Sequence, residues 1–142
     1  ILFLDKYNVG HHRMYSEGGN DKGEIKVDCV RLDNYFKDFG KKISFIKMDI
    51  EGSEGKAIKG ALNLIKKNKN IKLVLKYFPD GLMSCETNPK ELLILLKNEG
   101  FNIQEINEKN SILTPVSQST LLNKKHFTER GQMATNLLFI RN

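Results

Sequence analysis

Residues 43–60 read ISFIKMDIEGSEGKAIKG, and this stretch decides the fold class. Its first part, residues 43–50, is an almost continuous apolar run, which is typical of a strand covered on both faces in a parallel sheet. Residues 53–67 follow with apolar side chains at helical spacing, which indicates a helix with one buried face. The residues on that face are Ile58, Ala61, Leu62 and Ile65. The stretch therefore predicts a buried strand that leads into a packed helix.

Strand and helix patterns alternate on both sides of this unit. Upstream, residues 25–32 are rich in β-branched side chains and predict a strand, and Asp33 is placed to cap a short helix over residues 34–39. Downstream, residues 71–78 predict a strand that ends at a turn over residues 79–81, where Pro, Asp and Gly follow one another. The order of these elements predicts an α/β fold with a mostly parallel sheet.

The second half of the chain adds one helix and two strands. Asn88 and Pro89 are a helix cap and a first helical residue, so they predict a helix that ends at Gly100. Residues 101–106 and 136–141 predict strands, and the polar stretch 107–133 between them is expected to be a surface loop or a lid over a substrate. The first residues, 1–24, predict a strand and a hairpin or insert.

The length and composition of the chain exclude several classes of protein. The chain has 142 residues with no repeat, which indicates one domain. Its longest apolar run, residues 92–96, is far shorter than the roughly 18 residues that a membrane span needs, so no membrane span is expected. The only two cysteines, Cys29 and Cys85, form no CxxC pair, which favours a reducing compartment and a cytoplasmic location.

The basic balance of the chain raises the question of nucleic acid. Lys and Arg number 23 against 17 Asp and Glu, a net charge of +6. The lysines are spread along the sequence in short groups, and no RNA-binding or zinc-finger pattern accompanies them. We therefore expect no nucleic-acid partner; a nucleic-acid binder would instead show affinity that falls steeply with salt.

Ionisable residues gather where the strand 43–50 ends. Lys47, Asp49 and Glu51 share one side by the two-residue period of a strand, and open α/β sheets bind ligands beyond this end. Spacing alone favours a structural interpretation, in which Glu51 and Glu54 suit a helix N-terminus and Lys47 pairs with Asp49. The three histidines have no cysteine or acidic neighbour at ligand spacing, so no metal site is expected. They are His11, His12 and His126.

The same stretch closely resembles the signature of the FkbM-type methyltransferase family, whose members use S-adenosylmethionine. The resemblance rests on KMDIEGSEG and extends from about residue 25 to the strand TNLLFIRN. It implies a class I methyltransferase-like (Rossmann-like) sheet with an antiparallel last strand. It further implies that residues 1–142 are the carboxyl-terminal portion of one methyltransferase domain, with 1–24 a hairpin or insert and 25–142 the core. The cofactor-holding strands would precede the chain.

The resemblance also implies roles for single residues. Asp49 and Glu51 lie where the family places carboxylates that deprotonate or orient the substrate, and Lys47 is placed to tune them. Asp33 is placed near the adenine side of the cofactor. Lys76 stands where related sequences often carry glutamate, so we assign it to the substrate side of the site. We assign His126 to the same side for a different reason: it lies in the polar stretch 107–133, and long connections of this kind are often lids or binding loops.

The sequence thus predicts S-adenosylmethionine-dependent O-methylation of a sugar hydroxyl or another small hydroxylated metabolite, with a small-molecule or glycan substrate. The alternative is a non-catalytic α/β binding module or a decayed methyltransferase paralogue, which Lys76 favours. By itself the chain is expected neither to bind S-adenosylmethionine tightly nor to turn over. The edge of its sheet next to the missing strands is expected to be exposed and prone to pairing.

Overall fold

A computed structural model describes residues 1–123 and 134–141, and these residues form a mixed α/β fold with two sheets. The smaller sheet pairs β1 (Leu2–Asp5) with β2 (Asp21–Ile25) in antiparallel register. Arg13, on the connection between them, is 3% exposed and donates to Asp5 at 3.0 Å and to Asp21 at 2.8 Å. The predicted strand at the start of the chain is thus confirmed, and a buried ion cluster closes the hairpin.

The larger sheet has five strands in the order β3-β4-β7-β5-β6. Strands β3 and β4 pair in parallel, and the other three neighbouring pairs are antiparallel. The strands are β3 (Phe45–Met48), β4 (Lys72–Tyr77), β5 (Asn102–Asn107), β6 (Ile112–Pro115) and β7 (Thr135–Ile140).

The α/β class is confirmed, but the sheet is mostly antiparallel, so the expected mostly parallel sheet is not. The reason is that β7 inserts between β4 and β5 and runs antiparallel to both. Strands β3, β4 and β5 therefore point the same way, although only β3 and β4 are neighbours. Strand β6 adds a hairpin to β5 inside the stretch expected to be a structureless loop.

Six helices connect the strands in the described part of the chain: α1 (Leu32–Tyr35), α2 (Glu54–Lys59), α3 (Leu62–Lys67), α4 (Pro79–Ser84), α5 (Pro89–Asn98) and α6 (Gln118–Asn123). The cap of α5 is confirmed, since Asn88 Oδ1 accepts from the backbone N–H of Lys90 at 2.9 Å. No helix among the described residues is both long and apolar enough to cross a membrane.

Three local expectations are wrong. The helix predicted over 53–67 divides into α2 and α3, because Gly60 ends α2 and its carbonyl accepts from the backbone N–H of Asp33 at 2.8 Å. The strand predicted over 25–32 is displaced toward the N-terminus: β2 runs over Asp21–Ile25, where it pairs with β1, and residues 26–31 lie outside any strand. The turn predicted at 79–81 is the first turn of α4, since Pro79 suits a first helical position as well as a turn.

The core lies on one face of the larger sheet. Leu73, Leu75 and Tyr77 alternate along β4 as buried residues, and β7 contributes Leu137 and Phe139 beside them. Helical side chains that are fully buried complete this core: Ile58, Ile65, Leu93, Leu96 and Leu121. The other face is partly open, because Phe45 and Leu113 on it remain about half exposed.

Helix α3 has no cap of its own, because its N-cap residue is Ala61. Asp33 supplies the cap from α1: its Oδ1 accepts from the backbone N–H of Leu64 at 2.9 Å. The carboxylate is almost fully buried, and Arg31 lies 3.8 Å from its second oxygen. Asp33 therefore caps α3 and links it to α1. The sequence instead predicts that Asp33 caps a helix over residues 34–39.

We expect Asp33→Ala to lower the free energy of unfolding by about 1 kcal/mol, since the substitution removes a helix cap. Urea unfolding followed by circular dichroism measures the loss. Asp38→Ala is the control, because among the described residues Asp38 forms an ion pair with the exposed Lys37 alone, at 3.8 Å, and its loss should stay within about 0.5 kcal/mol. Equal losses in the two variants would contradict the capping role.

Candidate functional site at the carboxyl ends of two parallel strands

Lys76 joins the two carboxylates that follow β3. Its Nζ lies 2.5 Å from Oε1 of Glu51 and 3.3 Å from Oδ1 of Asp49. This contact follows from the parallel register, in which Met48 pairs with Leu75, so that Asp49 and Lys76 are the next residues of their strands. The structure thus brings together an ammonium and two carboxylates at the carboxyl edge of the sheet.

Glu51 is held by its backbone as well as by Lys76. Its φ is 50°, in the left-handed region that non-glycine residues rarely adopt, and Gly52 follows at 96°. A Cβ at Gly52 would lie 2.3 Å from the carbonyl oxygen of Gly81, so only glycine fits there. The turn between β3 and α2 therefore packs backbone to backbone against α4, and it leaves Glu51 only 8% exposed.

The charge of Lys76 is stabilised by its surroundings. Burial alone would lower the pKa of Lys76, but the hydrogen bond to Glu51 and the charges of Glu51 and Asp49 outweigh it and raise that pKa above its usual value. A raised lysine pKa means that the ammonium stabilises the fold at neutral pH and that this contribution is lost only above about pH 10.5. Lys76 is thus a fixed cation rather than a proton acceptor.

Lys47 joins the same group more loosely. Its Nζ lies 3.5 Å from Oδ2 of Asp49, and its side chain is 57% exposed. An exposed ion pair of this length contributes little to stability, because water and salt screen it. The structure therefore brings together Lys47, Asp49, Glu51 and Lys76, of which Glu51 and Lys76 are the buried members.

Two other residues were singled out from the sequence, Asp33 and His126. Asp33 holds the start of α3 through Oδ1, as described above, while its Oδ2 is buried and accepts no hydrogen bond from the described residues. Its placement on the adenine side of a cofactor stays a prediction. His126 falls outside the described residues, so its assignment to the substrate side also stays a prediction.

Glu54 is a buried carboxylate directly beneath the site, and the sequence interpretation placed it only as a helix-terminal charge. It is 0% exposed, its Oε1 accepts from the backbone N–H of Ile50 at 2.9 Å, and its Oε2 has no hydrogen-bond partner among the described residues. Burial raises its pKa, although the N–H of Ile50 opposes the shift. Its spacing from Ile58 and Ala61, four and seven residues on, was the signal that it faces the core.

Tyr15 brings the small sheet into electrostatic reach of this edge. Its side chain is half-buried, and burial raises the pKa of its phenol. The charge of Glu17 raises that pKa further, that of Arg13 lowers it, and Glu51 adds a smaller upward contribution. The shift of the Tyr15 pKa is therefore due mainly to burial and to its own hairpin neighbours Glu17 and Arg13.

The chemistry open to this edge is hydrogen bonding with hydroxyl groups. An ionised carboxylate has about four lone-pair sites, so the lysine contacts leave acceptor capacity on Asp49 and Glu51. Among the residues that the structure describes, no group of three His, Cys, Asp or Glu side chains is placed to hold a metal ion. The described edge is therefore suited to orienting a hydroxyl and accepting its proton.

We expect Lys76→Met to lower the free energy of unfolding at pH 7 by about 1.5–3 kcal/mol, because it leaves the buried Glu51 without its charged hydrogen-bond donor. The matched control is Lys47→Met, which removes a lysine of the same strand pair and should cost less than about 1 kcal/mol. Urea denaturation of both variants measures the difference. If the two substitutions cost the same, Lys76 does not anchor the site.

Glu54→Gln tests the buried carboxylate by its pH dependence. Because the folded-state pKa of Glu54 is raised, its ionisation opposes folding as pH rises above the ordinary value of 4.5, whereas below that value both states are protonated. We therefore expect the stability of wild type relative to Glu54→Gln to fall between pH 4 and pH 7. Urea unfolding at each pH measures it, and a difference that does not change with pH would contradict burial of the charge.

Comparison with known proteins places the site in a family. The sequence model described as "Methyltransferase FkbM domain" matches residues 2–103. The match begins near the start of the chain, so it includes the small sheet as well as β3, β4 and the site between them. No curated protein and no solved structure gives a significant match. Because the match spans more than half of the chain and contains the KMDIEGSEG signature, this chain belongs to the FkbM methyltransferase family.

Proposed function

We propose that this chain binds the acceptor in an S-adenosylmethionine-dependent O-methyltransferase that acts on a sugar hydroxyl or another small hydroxylated metabolite. The observation that carries the proposal is the pair Asp49 and Glu51, held together by Lys76 at the carboxyl edge of the sheet in a member of the FkbM methyltransferase family. Ligands of open α/β sheets bind at this edge.

The arrangement of strands supports the finer fold assignment. Strands β3, β4 and β5 run in one direction, and the last strand, β7, lies antiparallel between two of them. We therefore propose a class I methyltransferase-like sheet of which this chain is the carboxyl-terminal portion. Its thiols are both free, Cys29 exposed and Cys85 buried, and on that basis we propose the cytoplasm as its location.

The donor set fits hydroxyl groups, which both a sugar acceptor and the ribose of the cofactor carry. Asp49 and Glu51 retain acceptor capacity, and the nearby ammonium groups of Lys76 and Lys47 bring the formal charge of the four residues to zero. A neutral, hydroxylated ligand therefore meets acceptors for its O–H groups without facing a surplus of charge.

Within this proposal Glu51 and Asp49 have different roles toward the acceptor hydroxyl. Glu51 is buried and tied to Lys76 at 2.5 Å, so it is suited to orienting the acceptor hydroxyl. Asp49 is 42% exposed and more loosely held, so it is suited to taking the hydroxyl proton. S-adenosylmethionine, when bound, supplies the electrophilic methyl group that the hydroxyl oxygen receives.

The remaining assignments are part of the same proposal. Lys47 adjusts the charge on Asp49, and Lys76 and His126 contact the substrate. Asp33 lies toward the adenine of the cofactor, with its buried Oδ2 as the oxygen not used by the helix cap.

The test is methyl transfer from radiolabelled S-adenosylmethionine to a panel of sugars and small hydroxylated metabolites, using the whole native polypeptide that contains this chain. We expect Asp49→Asn and Glu51→Gln each to lower kcat by about 10²–10⁴-fold, the usual range for a general base and its partners. Lys59→Met is the control, since Lys59 is exposed and lies at the end of α2, away from the carboxylates.

Three outcomes separate the alternatives. Turnover that survives both carboxylate substitutions would refute the assigned roles while leaving the methyltransferase intact. Absence of both turnover and S-adenosylmethionine binding in the whole polypeptide would favour the non-catalytic module or decayed paralogue, in which Lys76 neutralises carboxylates that no longer act. Tight binding of S-adenosylmethionine would overturn that alternative.

A further inference from the structure

Lysines that are scattered along the sequence converge at the edge of the sheet opposite the candidate site. This edge is where β3 and β4 begin and where α3 and α5 end. We call it the basic edge, and its seven exposed lysines are Lys41, Lys42, Lys66, Lys67, Lys69, Lys72 and Lys97.

Two side chains gather the segments that carry these lysines. Asn68 Oδ1 accepts from the backbone N–H of Ile43 at 2.8 Å, which joins the loop before β3 to the end of α3. Arg141 donates to the carbonyl of Glu99 at 2.8 Å and to that of Ile65 at 3.2 Å, which joins α5 to α3. The convergence is therefore built into the fold and is not an accident of flexible side chains.

Little negative charge offsets the basic edge. In the described part of the chain, Lys66 is the one lysine of the seven with an ion pair, to Glu99 at 3.3 Å. Asp38, three residues before Lys41, contacts Lys37 instead. Six ammonium groups are thus free to face a polyanion, while the candidate site at the other edge balances its own charges.

One exposed aromatic residue precedes the first lysine pair. Residues 39–42 read FGKK, so that Phe39 lies directly beside Lys41 and Lys42 in the loop before β3. Phe39 is 40% exposed. Basic side chains beside an exposed aromatic ring are typical of segments that lie at the interface of an anionic bilayer.

The cations of the basic edge favour a lipid surface over nucleic acid. All seven are lysines, which act as point charges, whereas bidentate recognition of phosphates and base edges relies on arginine. The single arginine at this edge, Arg141, already donates to backbone carbonyls and stacks on Phe101 at 4.2 Å.

We propose that the basic edge docks this protein on an anionic lipid membrane, with Phe39 entering the headgroup region. The candidate site then faces away from the membrane, because it lies at the opposite edge of the sheet. The proposal does not depend on the proposed methyltransferase activity.

The experiment is co-sedimentation of the full chain with sucrose-loaded vesicles of phosphatidylcholine that contain 30 mol% phosphatidylserine, at 0.1 M and 0.5 M salt. We expect binding to these vesicles, weaker binding at the higher salt and none to pure phosphatidylcholine. Each lysine near an anionic surface contributes about fivefold in affinity. The substitution of Lys41, Lys42, Lys69 and Lys72 by Gln should therefore weaken binding by more than about 100-fold.

A matched control removes the same net charge from other segments. It replaces four exposed lysines without ion pairs among the described residues: Lys22, Lys26, Lys59 and Lys90. We expect it to lose less than about tenfold, and circular dichroism and thermal unfolding verify that both variants fold. Equal losses in the two variants would overturn a localised surface, as would absence of vesicle binding by wild type.

Two further measurements complete the test. The chain has no tryptophan, so Phe39→Trp provides a single tryptophan at the edge. We expect its emission to shift to the blue on addition of anionic vesicles, and an unchanged spectrum with bound vesicles would refute entry of this residue into the headgroups. Binding of a single-stranded oligonucleotide without binding of vesicles would assign the surface to nucleic acid and overturn the lipid proposal.

Discussion

The antiparallel insertion of β7 between β4 and β5 is the constraint on which the rest of the structure depends. It buries Leu137 and Phe139 against Leu75 and Leu73, so that the center of the core is made by strands distant in sequence. It also leaves β3 and β4 as the one parallel pair, whose carboxyl ends meet without an intervening strand. Arg141 follows directly after this strand and joins the segments of the basic edge.

The two edges of the sheet differ in whether their charged side chains form ion pairs. At the carboxyl edge, Lys76 and Lys47 lie within 4 Å of carboxylates, and Glu51 is buried and held by a left-handed backbone. At the opposite edge most lysines face solvent without a partner among the described residues. The carboxyl edge thus holds charges that neutralise one another, whereas most lysines at the opposite edge have no ion pair among the described residues.

Positioning at the carboxyl edge depends on backbone contacts as much as on side chains. Gly52 accepts the close approach of the Gly81 carbonyl, and that approach fixes the turn that carries Glu51. Glu54 holds the same turn from below, because its carboxylate accepts from the N–H of Ile50. A buried carboxylate whose pKa is raised destabilises the folded state when it is ionised. Such a destabilising group is tolerated where a site needs a rigid turn.

The sequence by its local pattern predicted those elements that depend on the spacing or the chemistry of residues close together in the chain. The strand before Asp49, the cap at Asn88 and the grouping of Lys47, Asp49 and Glu51 all follow from neighbours a few residues apart. The family resemblance at KMDIEGSEG is likewise local, and the match to residues 2–103 confirms it.

Tertiary structure alone decided the features that join distant segments. The direction of β7, the capping of α3 by Asp33 and the contact of Lys76 with Glu51 each depend on which elements become neighbours. The basic edge belongs to the same group, since its lysines look dispersed until the sheet brings them together. Periodicity in the sequence indicates which face of an element is buried, but it does not indicate which element covers that face. Which charged side chains pair with one another can be assigned only when the neighbouring elements are known.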